Sequence, residues 1–238
     1  MCDSRTDYRV LREFLALPHR AEAVLDKFAA LPGAVSEANG PLEGFVYVPP
    51  TRKNAVLLVA HADTVADETV KIELEEDRRT IRNKYGILGA DDRAGCAMLW
   101  LLRHTGHGLL VTDGEEFGSV GVDFLAAAFP ELYDELNCRH QFMIQIDRRG
   151  RSDFKCYSVG TAEFRAYVAA KTAFAEPDRS RFTDIVDLCR EICGVNLSCG
   201  YYDEHTPEER LVKQEWRRTL QLLRAWLAEA DLPKFPLK

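Results

Sequence analysis

The sequence predicts an α/β fold: one domain with a mixed, mainly parallel β-sheet sandwiched by helices. Three observations predict it. Apolar runs of strand length alternate with stretches of helical period. The runs at residues 55–60 and 142–146 are almost continuously apolar, as strands buried on both faces are. No repeat, low-complexity tract or linker divides the 238 residues, a length common for one α/β domain. A single domain over residues 1–238 is the expectation.

The elements follow in order. Tyr8, Val10, Leu11, Phe14 and Leu15 give one helical apolar face, and residues 21–31 give another before Pro32-Gly33 stops the run. Residues 44–48 form a short strand ended by Pro49-Pro50, and residues 55–60 form the central strand. Residues 71–82 read as a hairpin, with Ile72, Leu74 and Ile81 set among charges. The chain then alternates: a helix over 93–102, a strand at 109–112, a helix over 120–129, a strand at 142–146 and an edge strand within 153–157. Helices over 163–170 and 183–192 lead to a strand at 195–198. Pro207 opens a long C-terminal helix carrying Leu211, Trp216, Leu220, Leu223, Trp226 and Leu227.

Composition narrows the partners. With 46% hydrophobic and 29% charged residues the chain is an ordinary globular protein. A net charge of -7 argues against nucleic acid, whose binding needs clustered positive charge. No apolar run approaches the ~20 residues of a membrane span. The first residues lack a basic start and an apolar stretch, so a cytoplasmic location is expected. The odd count of seven cysteines fits reduced thiols, with Cys189 and Cys193 as small buried hydrophobes. The basic run Arg148, Arg149 and Arg151 reads as a solvated loop, the alternative being an arginine pocket for an acidic substrate group.

Chemistry enters through the placement of acids and imidazoles. In open α/β sheets ligands bind beyond the carboxyl ends of strands. The strand ending at Ala60 is followed by His61-Ala62-Asp63, the one ending at Thr112 by Asp113-Gly114-Glu115-Glu116, and the one ending at Ile146 by Asp147. The strand at 195–198 leads to His205, and Asp91-Asp92 stands at a helix entry. Taken singly, each has an ordinary structural role, as a helix cap or a salt-bridged loop. Thr206 and Glu209 likewise have the spacing of a capping box. Together, so many carboxylates beside each other require a cation. Imidazole and carboxylate donors suit zinc. Asp63, two residues beyond His61, lies on the same side of an extended segment and can fix its tautomer. Two ions ~3.5–4 Å apart require a bridging carboxylate, and hydrolysis requires a further carboxylate left free as general base.

In series these residues resemble the co-catalytic zinc exopeptidases: single-domain aminopeptidases, tripeptidase-like enzymes, and related carboxypeptidases and amino-acid deacylases. The resemblance rests on Val59-Ala60-His61-Ala62-Asp63-Thr64, Gly89-Ala90-Asp91-Asp92-Arg93-Ala94-Gly95, Val111-Thr112-Asp113-Gly114-Glu115-Glu116-Phe117-Gly118, Ile146-Asp147-Arg148 and Gly200-Tyr201-Tyr202-Asp203-Glu204-His205-Thr206. It implies two zinc ions, with cobalt or manganese able to replace them. His61 and Asp147 would hold one ion, Glu116 and His205 the other, and Asp91 would bridge. Asp63 would orient His61, and Glu115 would take a proton from the attacking water. The resemblance also implies a cis peptide at Asp91-Asp92. Many relatives insert a lid between the third carboxylate and the last histidine. Here that interval is filled by the elements already placed, which favours a lidless aminopeptidase and somewhat favours a monomer. Tyr201 or Tyr202 would then support the oxyanion, and Asp184, with Glu115 and Asp147, would receive a substrate ammonium group. The expected substrate is a short peptide. An N-acyl amino acid or another small amide is the alternative, as is a non-catalytic relative that keeps the fold.

Overall fold

The computed structural model describes residues 4–178 and 182–238. Its elements run α1 (Ser4–Leu15), α2 (Glu22–Ala29), β1 (Val35–Ala38), β2 (Gly44–Val48), β3 (Leu57–His61), β4 (Leu74–Glu76), β5 (Thr80–Asn83), α3 (Ala90–Leu102) and β6 (Gly108–Thr112). A single 3-10 turn, Glu115–Phe117, precedes α4 (Val120–Ala128), α5 (Pro130–Arg139), β7 (Met143–Arg148), β8 (Phe154–Lys155) and α6 (Ala162–Thr172). The chain closes with α7 (Ile185–Leu188), β9 (Gly194–Ser198), β10 (Tyr201–Tyr202), β11 (Arg210–Val212) and α8 (Lys213–Leu227).

Seven strands form one sheet in the order β1-β2-β6-β3-β7-β9-β8. The four central strands β6, β3, β7 and β9 are parallel, and β1, β2 and β8 add antiparallel edges. Alternate residues of each strand feed opposite faces. Leu58, Ala60, Val111, Ile144 and Ile146 pack with α1, α2, α3, α6 and α8. Leu57, Val59, Leu110 and Met143 pack with α4, α5 and α7. That two-sided cover explains why β3 and β6 are buried throughout. A smaller antiparallel sheet, β10-β11-β5-β4, stands beside the carboxyl ends of the parallel strands.

The hairpin expected over 71–82 forms as β4 and β5, turned where Asp77 accepts from the N–H groups of Arg79 and Thr80. Four elements differ from expectation. The C-terminal helix starts at Lys213, not Pro207, because Arg210–Val212 is drawn into the small sheet between β5 and β10. The helix expected over 183–192 is only α7, since the backbone turns extended at Cys189. Strand β1, exposed along its length, and helix α5 were not anticipated. Cys189 and Cys193 are buried free thiols. Among the described residues no helix is long and apolar enough to cross a membrane.

Candidate metal centre

The carboxyl ends of β3, β6 and β7 deliver His61, the Glu115-Glu116 turn and Asp147 to one place, as the strand-end argument requires. The entry to α3 brings Asp91, and the segment after β10 brings His205. Asp91, Glu115, Glu116, Asp147, Tyr201 and His205 line a cavity of about 820 Å³. His61 lies behind them, fully buried.

Asp63 organises the back of the site. One of its oxygens is 3.2 Å from His61 Nδ1. Its carboxylate also accepts the backbone N–H groups of Glu115 and Glu116, at 3.2 and 3.1 Å. The imidazole and the acidic turn are thus fixed by one residue. With the His61 Nδ1–H donated to Asp63, Nε2 carries the lone pair. That nitrogen faces Asp91 Oδ1 at 3.2 Å, Asp147 Oδ1 at 3.5 Å and Glu115 Oε2 at 4.0 Å. A lone pair confronting three carboxylate oxygens is stable only with a proton or a cation between them.

Asp91 faces both histidines. Its Oδ1 points to His61, and its Oδ2 is 3.3 Å from His205 Nε2. His205 Nε2 also lies 2.7 Å from Glu116 Oε1. Two ligands of one tetrahedral zinc stand about 3.3 Å apart, given bonds of about 2.0–2.1 Å. The His61–Asp91, His61–Asp147 and His205–Asp91 separations cluster around that value, while Glu116 lies at direct hydrogen-bond distance from His205. His61, Asp91 and Glu116 each offer a donor atom within 4.8 Å of the others, and so do His61, Asp92 and Asp147. Donor type and spacing therefore fit divalent ions.

The electrostatics carry the same message. Burial pushes the Glu115 carboxyl up to about 9, and neighbouring Asp147, Asp184 and Asp91 add to it against the opposing pull of His61. Asp147 is raised to about 7 by burial and by Asp91. His205 is raised to about 10 by its bonds to Asp91 and Glu116. Burial works against a charged His61, but Asp63, Asp147 and Asp91 outweigh it and lift its pKa well above the ordinary value. For Asp91 burial is likewise outweighed, by His205 and His61, which hold it low. Here protons hold together what a divalent cation would hold as anions.

The residues around the centre were less visible in sequence. The Asp91-Asp92 peptide is cis, as the resemblance implied. Asp92 does the capping, accepting the Gly95 N–H at 3.0 Å, while Asp91 is left to face the histidines. Gly95 has no alternative, because a Cβ there would stand 2.3 Å from the Ile146 carbonyl oxygen and 2.5 Å from the Asp92 carboxylate. Glu209 does not cap a helix. Fully buried, it accepts from Leu88 N, Gly89 N and Asp91 N at 2.8, 2.7 and 3.1 Å, and so clamps the loop that presents Asp91. Asp147 is held by Thr183, Gln145 and Tyr201, at 2.9, 3.1 and 3.1 Å. Asn196 pairs with its backbone on both sides. The available signal for Gln145 and Asn196 was a lone amide near the end of an otherwise buried strand, which must find a partner.

Three expectations about substrate contacts change. Tyr201 lines the cavity, but its hydroxyl donates to Asp147. Tyr202 turns away, donating to Glu215 at 2.7 Å under the Arg210 guanidinium. Asp184 is fully buried, accepts from Thr112 Oγ1, and does not line the cavity, so it is not placed to meet a substrate amine. The arginine run is not uniformly solvated: Arg149 and Arg151 are exposed, whereas Arg148 is half-buried and faces the cavity.

No protein-family model matches the chain, and no curated protein matches it in sequence. Solved structures match its fold. Aminopeptidase PepT from Bacillus cereus has a TM-score of 0.66 at 14% identity, covering 94% of this chain and 98% of that one. The chain shares that protein's fold. The TET1 peptidase of Pyrococcus horikoshii gives 0.62 at 13% identity, covering 94% and 99%. A glutaminyl cyclase from an Acidobacteriales bacterium gives 0.62 at 11%, covering 94% and 93%. The expected exopeptidase-like fold is therefore present, on a scaffold that also serves a cyclase. The Pyrococcus enzyme assembles into a tetrahedron or a large octahedral shell, so the likeness lends no support to a monomer.

Proposed function

We propose that the protein is a two-metal hydrolase of short peptides, acting as an aminopeptidase with Glu115 as general base. In this reading His61 and Asp147 would hold one zinc ion and Glu116 and His205 the second, with Asp91 serving as a ligand to both. Cobalt or manganese suits the same donors. The observation that carries the reading is Asp91, whose two oxygens lie 3.2 and 3.3 Å from the ring nitrogens of two different histidines. Such a pair of ions supplies Lewis-acid stabilisation of developing negative charge and makes water more acidic.

The chain's own residues do the rest. Asp63 holds the His61 tautomer and the Glu115-Glu116 turn together. Glu115 lines the cavity, and among the described residues nothing hydrogen-bonds its carboxylate, which leaves it free to accept a proton from water and return it to the leaving amine. Glu115 and Asp147 give the substrate ammonium group an acidic wall. The cavity volume is that of a site for a small ligand (about 300–1,000 Å³) rather than for a folded protein. The interval between Asp147 and His205 holds β8, α6, α7, β9 and β10. In this reading it carries no lid, and residues 1–238 form one catalytic domain.

The test is a panel of di- and tripeptides with free and blocked ends, assayed on protein of measured metal content. Release of N-terminal residues from free-amine peptides, dependent on metal, is the expected outcome. Turnover confined to N-blocked substrates would move the assignment to an N-acyl amino acid deacylase or a carboxypeptidase-type amidohydrolase. Absence of bound metal together with no turnover would leave a non-catalytic protein.

A further inference from the structure

Arg148 is the last residue of β7, directly after Asp147, and both line the same cavity. Successive side chains of a flat strand point to opposite faces. Here the pairing of β7 with β9 shifts register between Gln145 and Arg148, and such an irregularity re-aims side chains at the end of a strand. The Arg148 backbone stays in the sheet, its carbonyl accepting from Cys199 N at 2.9 Å. The side chain is thereby held on a rigid element rather than on a loop.

Its charge has no internal use. Among the described residues no carboxylate forms an ion pair with Arg148, and its Nε is buried without a hydrogen-bond partner. The neighbouring group that it does reach is the neutral Tyr157 phenol. Arg149, the other arginine on the cavity wall, is paired with Glu204 at 3.2 Å. A buried guanidinium nitrogen left unpaired is costly, and a planar two-oxygen acceptor is its best partner. Of the other carboxylates on the cavity wall, Asp91, Glu115, Glu116 and Asp147 belong to the metal centre and Glu204 pairs with Arg149, and neither Glu204 nor Asp153 forms an ion pair with Arg148 among the described residues.

We propose that Arg148 is a specificity-determining residue that binds a carboxylate of the substrate, so that the site selects short peptides ending in a free carboxylate close to the scissile bond. This rests on the peptide-hydrolase reading and names the substrate class within it. A carboxylate reaching Arg148 has two sources, the peptide C-terminus or an acidic side chain beside the bond. The ammonium end of such a peptide meets the acidic wall and its carboxylate end meets Arg148, which fixes the direction in which it lies.

The experiment compares a dipeptide, its C-terminal amide, and an amidated dipeptide with glutamate in second place. Each is measured with metal-loaded wild type, Arg148→Met, Arg148→Lys and Arg149→Met. Wild type should favour the free dipeptide over its amide by about 10- to 100-fold in kcat/KM, the worth of one charge-assisted pair. Arg148→Met should bring that ratio close to one, Arg148→Lys should restore part of it, and Arg149→Met should keep it. If the glutamate peptide recovers the loss made by amidation, a side-chain carboxylate also reaches Arg148; otherwise only the C-terminus does. Calorimetry of the same ligands on Glu115→Gln protein, with and without Arg148→Met, reads binding apart from turnover. Carboxylate-dependent binding without any turnover would overturn the hydrolase reading and keep Arg148. A wild-type protein indifferent to amidation, or a preference that survives Arg148→Met, would overturn this proposal.

Discussion

Removing and restoring metal at two pH values probes the centre without relying on activity. In the metal-free protein Asp147 moves from an ordinary 3.8 to about 7 and Glu115 from 4.5 to about 9, both chiefly through burial. His205 moves from 6.5 to about 10. Each folded value lies above its unfolded one. The associated stability is therefore complete below the unfolded pKa and is lost as pH rises through the folded pKa. The window runs from about pH 4 to 7 for Asp147, and from about 6.5 to 10 for His205. At about 1.4 kcal/mol per tenfold change, the rise at Asp147 is worth on the order of a few kcal/mol, offset in part by neighbouring Asp91, which is held low. For a chain of this size each kcal/mol is a fall in Tm of roughly 2–4 °C. Buried His107 and His140, lowered to about 4 by burial, act with the opposite sign, losing stability as pH falls from 6.5 to about 4. Chelated protein should accordingly be most stable in mild acid and weaken towards pH 9. Zinc at 100 times its Kd adds about 2.7 kcal/mol. The rise in Tm should be larger at pH 8 than at pH 5.5, with protons expelled from His61, His205 and Glu115 on binding. Differential scanning calorimetry and titration calorimetry in buffers of different ionisation enthalpy measure both. Equal zinc stabilisation at the two pH values, with no proton release, would refute the reasoning.

Two substitutions separate roles within the centre. Glu115→Gln should lower kcat by about 10²–10⁴-fold, as loss of a general base does, while elemental analysis still finds metal at the wild-type level. Glu209→Gln keeps one acceptor oxygen for the N–H groups of Leu88, Gly89 and Asp91 and leaves at least one of them unsatisfied, at about 1–3 kcal/mol. A Tm lower by roughly 2–12 °C is expected, with weaker metal binding because the Asp91 loop is released. An unchanged metal affinity would confine Glu209 to a structural role.

The fold was legible where burial dictates pattern. Strand β3 can be read as an apolar run because helices cover both sides of it, and His61 could be placed because that run stops at a polar residue. The same logic failed where two structures share one pattern. Leu211 stands between Pro207, a helix-opening signal, and the helical apolar residues from Trp216 on, yet Leu211 pairs with Ile81 in the small sheet. Thr206 and Glu209 have capping-box spacing, but the Glu209 carboxylate is drawn to a loop 120 residues away in sequence. Asp184 looked available as an acid near the site, whereas it accepts from Thr112 beneath the site. In each case a long-range partner decided the outcome, and local sequence does not encode that partner.

Adjacent residues of like type show how this centre is built. Asp92 caps α3 while Asp91 faces the histidines. Tyr202 bonds Glu215 on α8 while Tyr201 supports Asp147. Arg149 pairs with Glu204 at the surface while Arg148 turns inward. Glu116 meets His205 while Glu115 keeps a carboxylate that nothing among the described residues hydrogen-bonds. At a strand end or helix entry successive side chains diverge, so Asp92 and Tyr202 are held away from the cavity while Asp91 and Tyr201 are delivered to it, and the two members of the Glu115-Glu116 and Arg148-Arg149 pairs meet different partners on its wall. Where the neighbour is an anchor, as Asp92 is beside Asp91, it ties the working residue to a rigid element, which is what a site of this precision needs. It follows that exchanging the members of a pair is not neutral: the residue type is the same, but the element it serves is not.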